Sequence, residues 1–197
     1  MLKIALTGGI ATGKSYVLDA LRRRGVPCLD ADELAHGVTA AGTEATMAIA
    51  TRFGPEILAA DGSVDRARLG PIVFGDPSAR RELEAIVHPA VYRAIAAGMR
   101  AFELVGERGF AVADVPLLFE TGAEKKFDRV IVTACAPETQ LARLLARGLS
   151  EEAAGQRLAA QWPTAQKAAR ADFVVKTDGT FEDTDRQIED IHGALNA

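Results

Sequence analysis

The stretch Gly8-Gly9-Ile10-Ala11-Thr12-Gly13-Lys14-Ser15 satisfies G-x-x-x-x-G-K-[ST] at every fixed position. Those residue types suit one task, holding a phosphate chain. Gly8 and Gly13 permit backbone angles at which successive N–H groups converge on one anion. A helix starting near Lys14 would aim its positive end at the same point. Lys14 adds a mobile full charge for the outer phosphates, and the Ser15 hydroxyl is a hard oxygen ligand suited to Mg²⁺. The chemistry implied is phosphoryl transfer from a nucleoside triphosphate, with ATP as the default donor.

Other candidate groups lie at the ends of apolar runs. Asp30-Ala31-Asp32 follows the second such run, and side chains at the carboxyl ends of parallel strands face the ligand crevice. Asp32 is placed to accept a proton from, or to orient, a hydroxyl attacking the γ-phosphorus. Asp30 suits a helix cap. Asp114 occupies a Walker-B-like place ahead of Pro116, where it could hold a Mg²⁺-bound water, cap a helix or pair with Lys14. Arg143 and Arg147 stand one helical turn apart, so they form either a lid face that closes over phosphates or a solvated basic face. His88 precedes Pro89, which predicts an extended His88 and a break between two helices. A lone His there reads as a structural hydrogen bonder that positions a substrate-side subdomain. Leu117, Leu118 and Phe119 read as core or as the wall facing the acceptor.

Stepping out from these residues, five apolar β-prone runs predict buried parallel strands: Lys3 to Leu6, Val26 to Leu29, Phe110 to Val115, Arg129 to Ala134 and Phe173 to Lys176. Val17, Leu18 and Leu21 then recur at helical spacing before Gly25, and strand–helix–strand order predicts a parallel sheet with right-handed crossovers. Residues 36–107 are too many for a crossover and read as a helical insertion. In it Leu83, Ile86 and Val87 mark a helix begun by Asp76-Pro77-Ser78, and Val91, Ile95, Met99 and Phe102 mark another. Residues 137–170, rich in Arg and Gln, read as a lid. The last helix starts at Thr180 with Asp183 three residues on, and Phe181, Ile188, Ile191 and Leu195 give it one apolar face.

Bulk properties narrow the function classes. The 197 residues carry a net charge of −4, so no global basic field exists for nucleic acid or an anionic membrane. No apolar run is long enough to span a bilayer, and Cys28 and Cys135 lack metal or disulfide spacing. The expected compartment is the cytoplasm; no oligomeric state follows, and a monomer is compatible. The loop lacks G-x-G-x-x-G, which argues against a dinucleotide fold, and Val175 stands where a guanine motif needs Asn, which argues against a GTPase.

Taken end to end, the chain resembles the dephospho-CoA kinase family. The matching residues are Leu6-Thr7-Gly8-Gly9-Ile10 with Gly13-Lys14-Ser15, Asp30-Ala31-Asp32, Asp61-Gly62 with Asp65-Arg66 and Leu69, and Leu83-Glu84 with His88-Pro89. Val115 to Glu120, Arg143, Arg147, Gln161 and Ala171 to Val175 complete the set. The resemblance implies an α/β P-loop kinase with a five-stranded parallel sheet flanked by helices. It implies a core over about 1–35, 108–136 and 171–197, a CoA-binding insertion over 36–107 and a lid over 137–170. The implied reaction moves the ATP γ-phosphate to the ribose 3′-hydroxyl of dephospho-CoA, with Mg²⁺. Asp32 would activate that hydroxyl; Gly8, Gly9, Ala11, Thr12, Gly13, Lys14, Ser15 and Tyr16 would bind ATP with Arg143; Arg147 would act from the lid. Asp32, His88 and Leu117 would face the acceptor, and Ser15 and Asp114 the metal. Ala11, Thr12, Tyr16 and Thr177 depart from the usual pattern, the last standing near where the family often has Asn, and the lid's tip looks one residue short. Ala11 can donate as Gly does provided its φ is negative. The rivals are another small-molecule kinase, such as one acting on nucleoside monophosphates, and a non-catalytic ATP-binding switch.

Overall fold

Strand formation follows the apolar runs closely in the computed structural model, which describes residues 1–106 and 109–196. The strands are β1 (Leu2–Gly8), β2 (Cys28–Asp30), β3 (Phe110–Asp114), β4 (Arg129–Ala134) and β5 (Phe173–Lys176). They form one sheet of order β2-β3-β1-β4-β5. β1 pairs in parallel with β3 and with β4, and β4 with β5. Ile4, Ala5, Leu6, Ala111, Val112 and Ala113 are all fully buried, as expected where both faces of a parallel sheet are covered. β2 begins later than its apolar run: Pro27 has no N–H to offer, although its carbonyl accepts from the Val112 amide at 2.9 Å. The order places β1 at the switch point between β3 and β4, so the phosphate loop leaves the sheet where a crevice must open.

The helices are α1 (Lys14–Arg23), α2 (Ala31–Val38), α3 (Glu44–Phe53), α4 (Arg66–Gly75), α5 (Pro77–Val105), α6 (Pro137–Ala146), α7 (Glu151–Ala159), α8 (Thr164–Ala168) and α9 (Phe181–Asn196). α1 ends as its glycine requires. Gly25 takes φ 75°, its amide bonds to the Arg22 carbonyl, and the Val26 amide reaches Leu21. α9 starts with a reciprocal capping box, the Asp183 amide donating to Thr180 Oγ1 and the Thr180 amide to Asp183 Oδ2, each at 3.1 Å.

The chain divides into two units, Met1–Leu29 with Phe102–Ala197, and Asp30–Ala101. The first is built on Ile4, Leu6, Leu18, Leu21, Val112, Ile131 and Ile188. The second has its own core of Ile49, Phe53, Ile57, Leu69, Val73 and Ala79, against which Leu83, Ile86 and Val87 pack. The expected boundary at 107 and 108 and the chain end at 197 lie outside the described residues. Among the described residues no helix is long and apolar enough to cross a membrane.

Two expectations need correction. His88-Pro89 is not a break: α5 runs continuously from Pro77 to Val105 with Pro89 inside it and His88 helical. A proline in a helix interior removes one hydrogen bond and crowds the preceding turn. The buried Ala90, Val91, Ile95 and Met99 just beyond hold the helix together across it. Phe181 is not on the buried face of α9. It is 67% exposed, whereas Ile188, Ile191 and Leu195 are buried, because it is the first residue of the helix and turns toward the Tyr16 ring at 4.8 Å.

The capping box predicts a pH effect. Bonds from the Thr180 amide and hydroxyl, and then from Arg186, hold the Asp183 carboxyl below the usual carboxylate range. A depressed pKa adds stability above the unfolded value of about 3.9, and that stability is lost as pH falls through the folded value. Asp183→Ala should therefore melt below the parent at pH 7, and the gap should narrow in thermal unfolding as pH falls below the ordinary carboxylate range.

Candidate active site

A peptide's C=O and the following N–H point in opposite directions, so a loop can present amides inward only if its carbonyls are satisfied outward. Five consecutive loop carbonyls are each captured by a side chain. Gly8 O accepts from Lys167 Nζ at 3.4 Å, Gly9 O from Thr12 Oγ1 at 2.7 Å, and Ile10 O from Gln140 Nε2 at 2.7 Å. Ala11 O accepts from the Arg143 guanidinium at 3.1 Å, and Thr12 O from Thr177 Oγ1 at 2.9 Å. Thr133 Oγ1 of β4 meets Thr12 Oγ1 at 2.7 Å, fixing the hydroxyl that holds Gly9. The Ile10 amide is taken by Gln161 Oε1 at 2.8 Å and the Thr12 amide by Gly9 O at 3.3 Å. The amides left to an anion are those of Ala11 and Gly13, opposite the held Ile10 and Thr12 carbonyls, with the first-turn amides of α1, which begins directly after Gly13 (φ 84°). The result is an anion nest with a helix N-terminus at its base.

The glycines are required sterically. A Cβ on Gly8 would lie 2.2 Å from Thr133 Oγ1 and 2.8 Å from the Thr133 carbonyl; one on Gly9 would lie 2.4 Å from Thr164 Oγ1. Ala11 needs correction, because its φ is +60°. An L-residue is strained there by about 1–2 kcal/mol. The offset is local burial: the Ala11 methyl packs with Leu144 and Ala154, and Ile10, Leu141, Leu149 and Leu158 close around them. The loop's variable positions are apolar because α6 and α7 pack on them.

Lys14 Nζ sits 2.9 Å from Asp114 Oδ2, with both side chains largely buried. Of the three sequence readings of Asp114, pairing with Lys14 is the one in place. Ser15 is exposed in the first turn of α1. Among the described residues no three His, Cys, Asp or Glu side chains converge as a metal cage. The donor set near the loop is a hydroxyl and a carboxylate, both hard oxygens. That fits Mg²⁺, which keeps most of its waters and takes substrate phosphates as ligands.

Beside the loop lies a cavity of about 480 Å³ lined by Ala11, Gly13, Tyr16, Arg143, Arg147, Thr177 and Phe181. The two arginines differ sharply. Arg143 bonds to Ala11 O and to the Thr177 hydroxyl and carbonyl, so its planar head is fixed at the cavity wall. Arg147 is exposed at the C-terminus of α6. Thr177 spans the loop and Arg143, which gives it a structural task whatever the base contacts. The Tyr16 hydroxyl donates to Asp185 at 3.0 Å, and burial and then that bond raise its pKa. A larger cavity, about 730 Å³, is lined mostly by apolar residues such as Ala134, Cys135, Pro137, Leu158 and Trp162. Burial pushes the Cys135 thiol up, and Cys28 up to about 12, which disfavours the thiolate in both.

Asp30 caps α2, accepting from the Asp32 amide at 2.8 Å and the Glu33 amide at 3.3 Å. Asp32 is exposed in the first turn of α2, and both it and half-buried His88 belong to the second unit. Leu117 is half-buried in the turn after β3, while Leu118 and Phe119 are core. Sequence reasoning missed Gln140, Thr133 and Lys167. Each is a buried polar residue whose neighbours in sequence give no hint of which way it faces.

The model of the dephospho-CoA kinase family matches residues 2–183 of the chain. A dephospho-CoA kinase of Geobacillus kaustophilus is 46% identical over 188 residues, covering 95% of this chain and 93% of that protein. One of Anaeromyxobacter dehalogenans is 47% identical, covering 98% and 93%. Among solved structures, dephospho-CoA kinase from Campylobacter jejuni superposes with a TM-score of 0.76 at 28% identity, covering 98% of this chain and 96% of that one.

Gly8→Ala should weaken binding of a non-hydrolysable ATP analogue at least about tenfold by calorimetry, because the Thr133 backbone cannot retreat. Gly155→Ala in α7, where an added methyl meets nothing within 4 Å, should leave the affinity unchanged.

Proposed function

The chain belongs to the dephospho-CoA kinase family, and from that premise we propose how its residues divide the transfer of the ATP γ-phosphoryl group to the ribose 3′-hydroxyl of dephospho-CoA. The observation that carries the reading is the loop from Gly8 to Lys14, five of its carbonyls held by side chains and the amides of Ala11 and Gly13 on the opposite side of two of them, beside the N-terminus of α1. The β- and γ-phosphates lie in that nest. Lys14 exchanges its bond to Asp114 for the outer phosphate oxygens, whose charge grows as the γ-group leaves. Bound Mg²⁺ supplies charge neutralisation and in-line alignment, with Ser15 and Asp114 as the side chains suited to hold it or its waters. The base lies along the cavity walled by Arg143, Tyr16 and Thr177.

Asp32 is the acceptor-side carboxylate. It takes the proton of the 3′-hydroxyl as that oxygen bonds to the γ-phosphorus, while the bridging bond to the β-phosphate breaks and ADP leaves. Arg147, on the segment 137–170, supplies positive charge to the migrating group as that segment closes as a lid and water is excluded. Residues 36–107 form the CoA-binding part, with His88 and Leu117 on the acceptor's side. The free thiols and acidic balance suit a cytoplasmic enzyme that binds neither nucleic acid nor membrane.

ADP release with ATP-Mg²⁺ and a panel of dephospho-CoA, AMP, adenosine or no acceptor tests the reading. Turnover should require dephospho-CoA; turnover with AMP, or slow hydrolysis indifferent to every acceptor, would contradict it. Lys14→Ala and Asp32→Ala should each lower kcat about 10²–10⁴-fold. Asp32→Ala should keep ATP affinity near the parent's, and wild-type turnover by that variant would remove the assigned role.

A further inference from the structure

Lys167 is fully buried, and its place in the fold is unlike that of any other lysine among the described residues. An ammonium has three N–H donors. Here each meets an acceptor: Glu120 Oε1 at 2.8 Å, Pro116 O at 3.2 Å and Gly8 O at 3.4 Å. Glu120 Oε1 also accepts the Trp162 amide at 3.0 Å, so the ion pair ties α8 and the residues before it to the turn after β3.

A buried ion pair is a weak reason by itself to keep a lysine here. Apolar pairs of similar volume are often as stable or more so. The other two contacts supply a stronger reason. Gly8 is the last residue of β1, in register with Thr133 of β4, and the first residue of the phosphate loop. Pro116 lies two residues beyond Asp114, which carries Lys14. Strand pairing of Leu6 with Asp114 and the Thr7 hydroxyl on Pro116 O at 3.2 Å already bring these ends together. The one charge adds a single side-chain group that reaches both the loop's first carbonyl and the turn just past Asp114. Thr164, a turn earlier on α8, donates to Gln140 Oε1 at 3.2 Å, and Gln140 grips Ile10 O. α8 thus braces the loop at the Gly8 carbonyl directly and at the Ile10 carbonyl through Gln140.

We infer that Lys167 is a positioning residue of the nucleotide site: its ammonium, through the Gly8 and Pro116 carbonyls, fixes the first peptide of the phosphate loop against the turn that follows Asp114. It touches no phosphate and acts through the backbone. The inference rests on the reading of the loop as the nucleotide site. The competing explanation is that Lys167 only neutralises Glu120.

The two separate in a pair of variants. Glu120→Gln keeps the lysine and its carbonyl contacts and should bind a non-hydrolysable ATP analogue within about twofold of the parent. The double variant E120Q/K167M leaves no buried charge behind but removes the side-chain donor to Gly8 O and leaves Pro116 O to the Thr7 hydroxyl alone. It should raise the calorimetric Kd for the analogue, and the KM for ATP, about tenfold, as expected for losing charge-assisted hydrogen bonds. The KM for the alcohol substrate should stay within about twofold. If E120Q/K167M does not unfold cooperatively, E120M/K167M, an apolar pair of similar volume, takes the same measurement. Parent-like affinity in the folded double variant overturns the inference, as does an equal rise in both KM values. Failure of the parent itself to bind the analogue would instead remove the nucleotide-site reading on which it rests.

Discussion

Backbone amides can hold an anion only while the carbonyls on the far side of the same peptides are satisfied elsewhere, and that requirement organises much of the first unit. Lys167, Thr12, Gln140, Arg143 and Thr177 come from α8, the loop itself, α6 and the end of β5, yet each takes one loop carbonyl in order. The sheet order matters for the same reason. With β1 between β3 and β4, Asp114 comes to Lys14 from one neighbour, and Thr133 comes to Thr12 from the other. A phosphate loop is usually described by its glycines and lysine. In this protein those residues permit the shape, and buried side chains on three other elements impose it.

That division explains what could be read from the sequence. The strands were legible because β-prone runs buried on both faces need no partner to be recognised, and β3, β4 and β5 start where the runs start. The loop was legible because its chemistry demands fixed residue types at fixed spacing. The Thr180–Asp183 cap was legible because the bond is local. The braces were not. Gln140 lies beside Leu141 on an amphipathic helix, and nothing in that pattern says that an amide rather than a methyl group points at Ile10. Lys167 in an Ala-rich stretch reads as a solvated charge, whereas its three acceptors come from residues far away in sequence.

Two of the corrected expectations share a cause: local rules yielded to packing. Pro89 should interrupt a helix, yet the apolar stripe from Val91 to Met99 holds α5 through it. Ala11 should avoid positive φ, yet its methyl is buried under α6 and α7 in that conformation. Arg143 and Arg147 look equivalent at helical spacing. Three oxygen acceptors around the first make it part of the loop's scaffold, and the second, just past the last turn, stays exposed. A fixed arginine walls the cavity beside the loop, and an exposed one stands at its rim.

A crystal structure with Mg²⁺ and a non-hydrolysable ATP analogue tests the central claim most directly. The account predicts β- and γ-phosphate oxygens within about 3 Å of the amide nitrogens of Gly13, Lys14 and Ser15. It also predicts Lys14 Nζ on a phosphate oxygen, with the five carbonyl braces unchanged. Phosphates seated instead in the larger apolar cavity, or a loop whose carbonyls have let go of Gln140, Arg143 and Thr177, would contradict it.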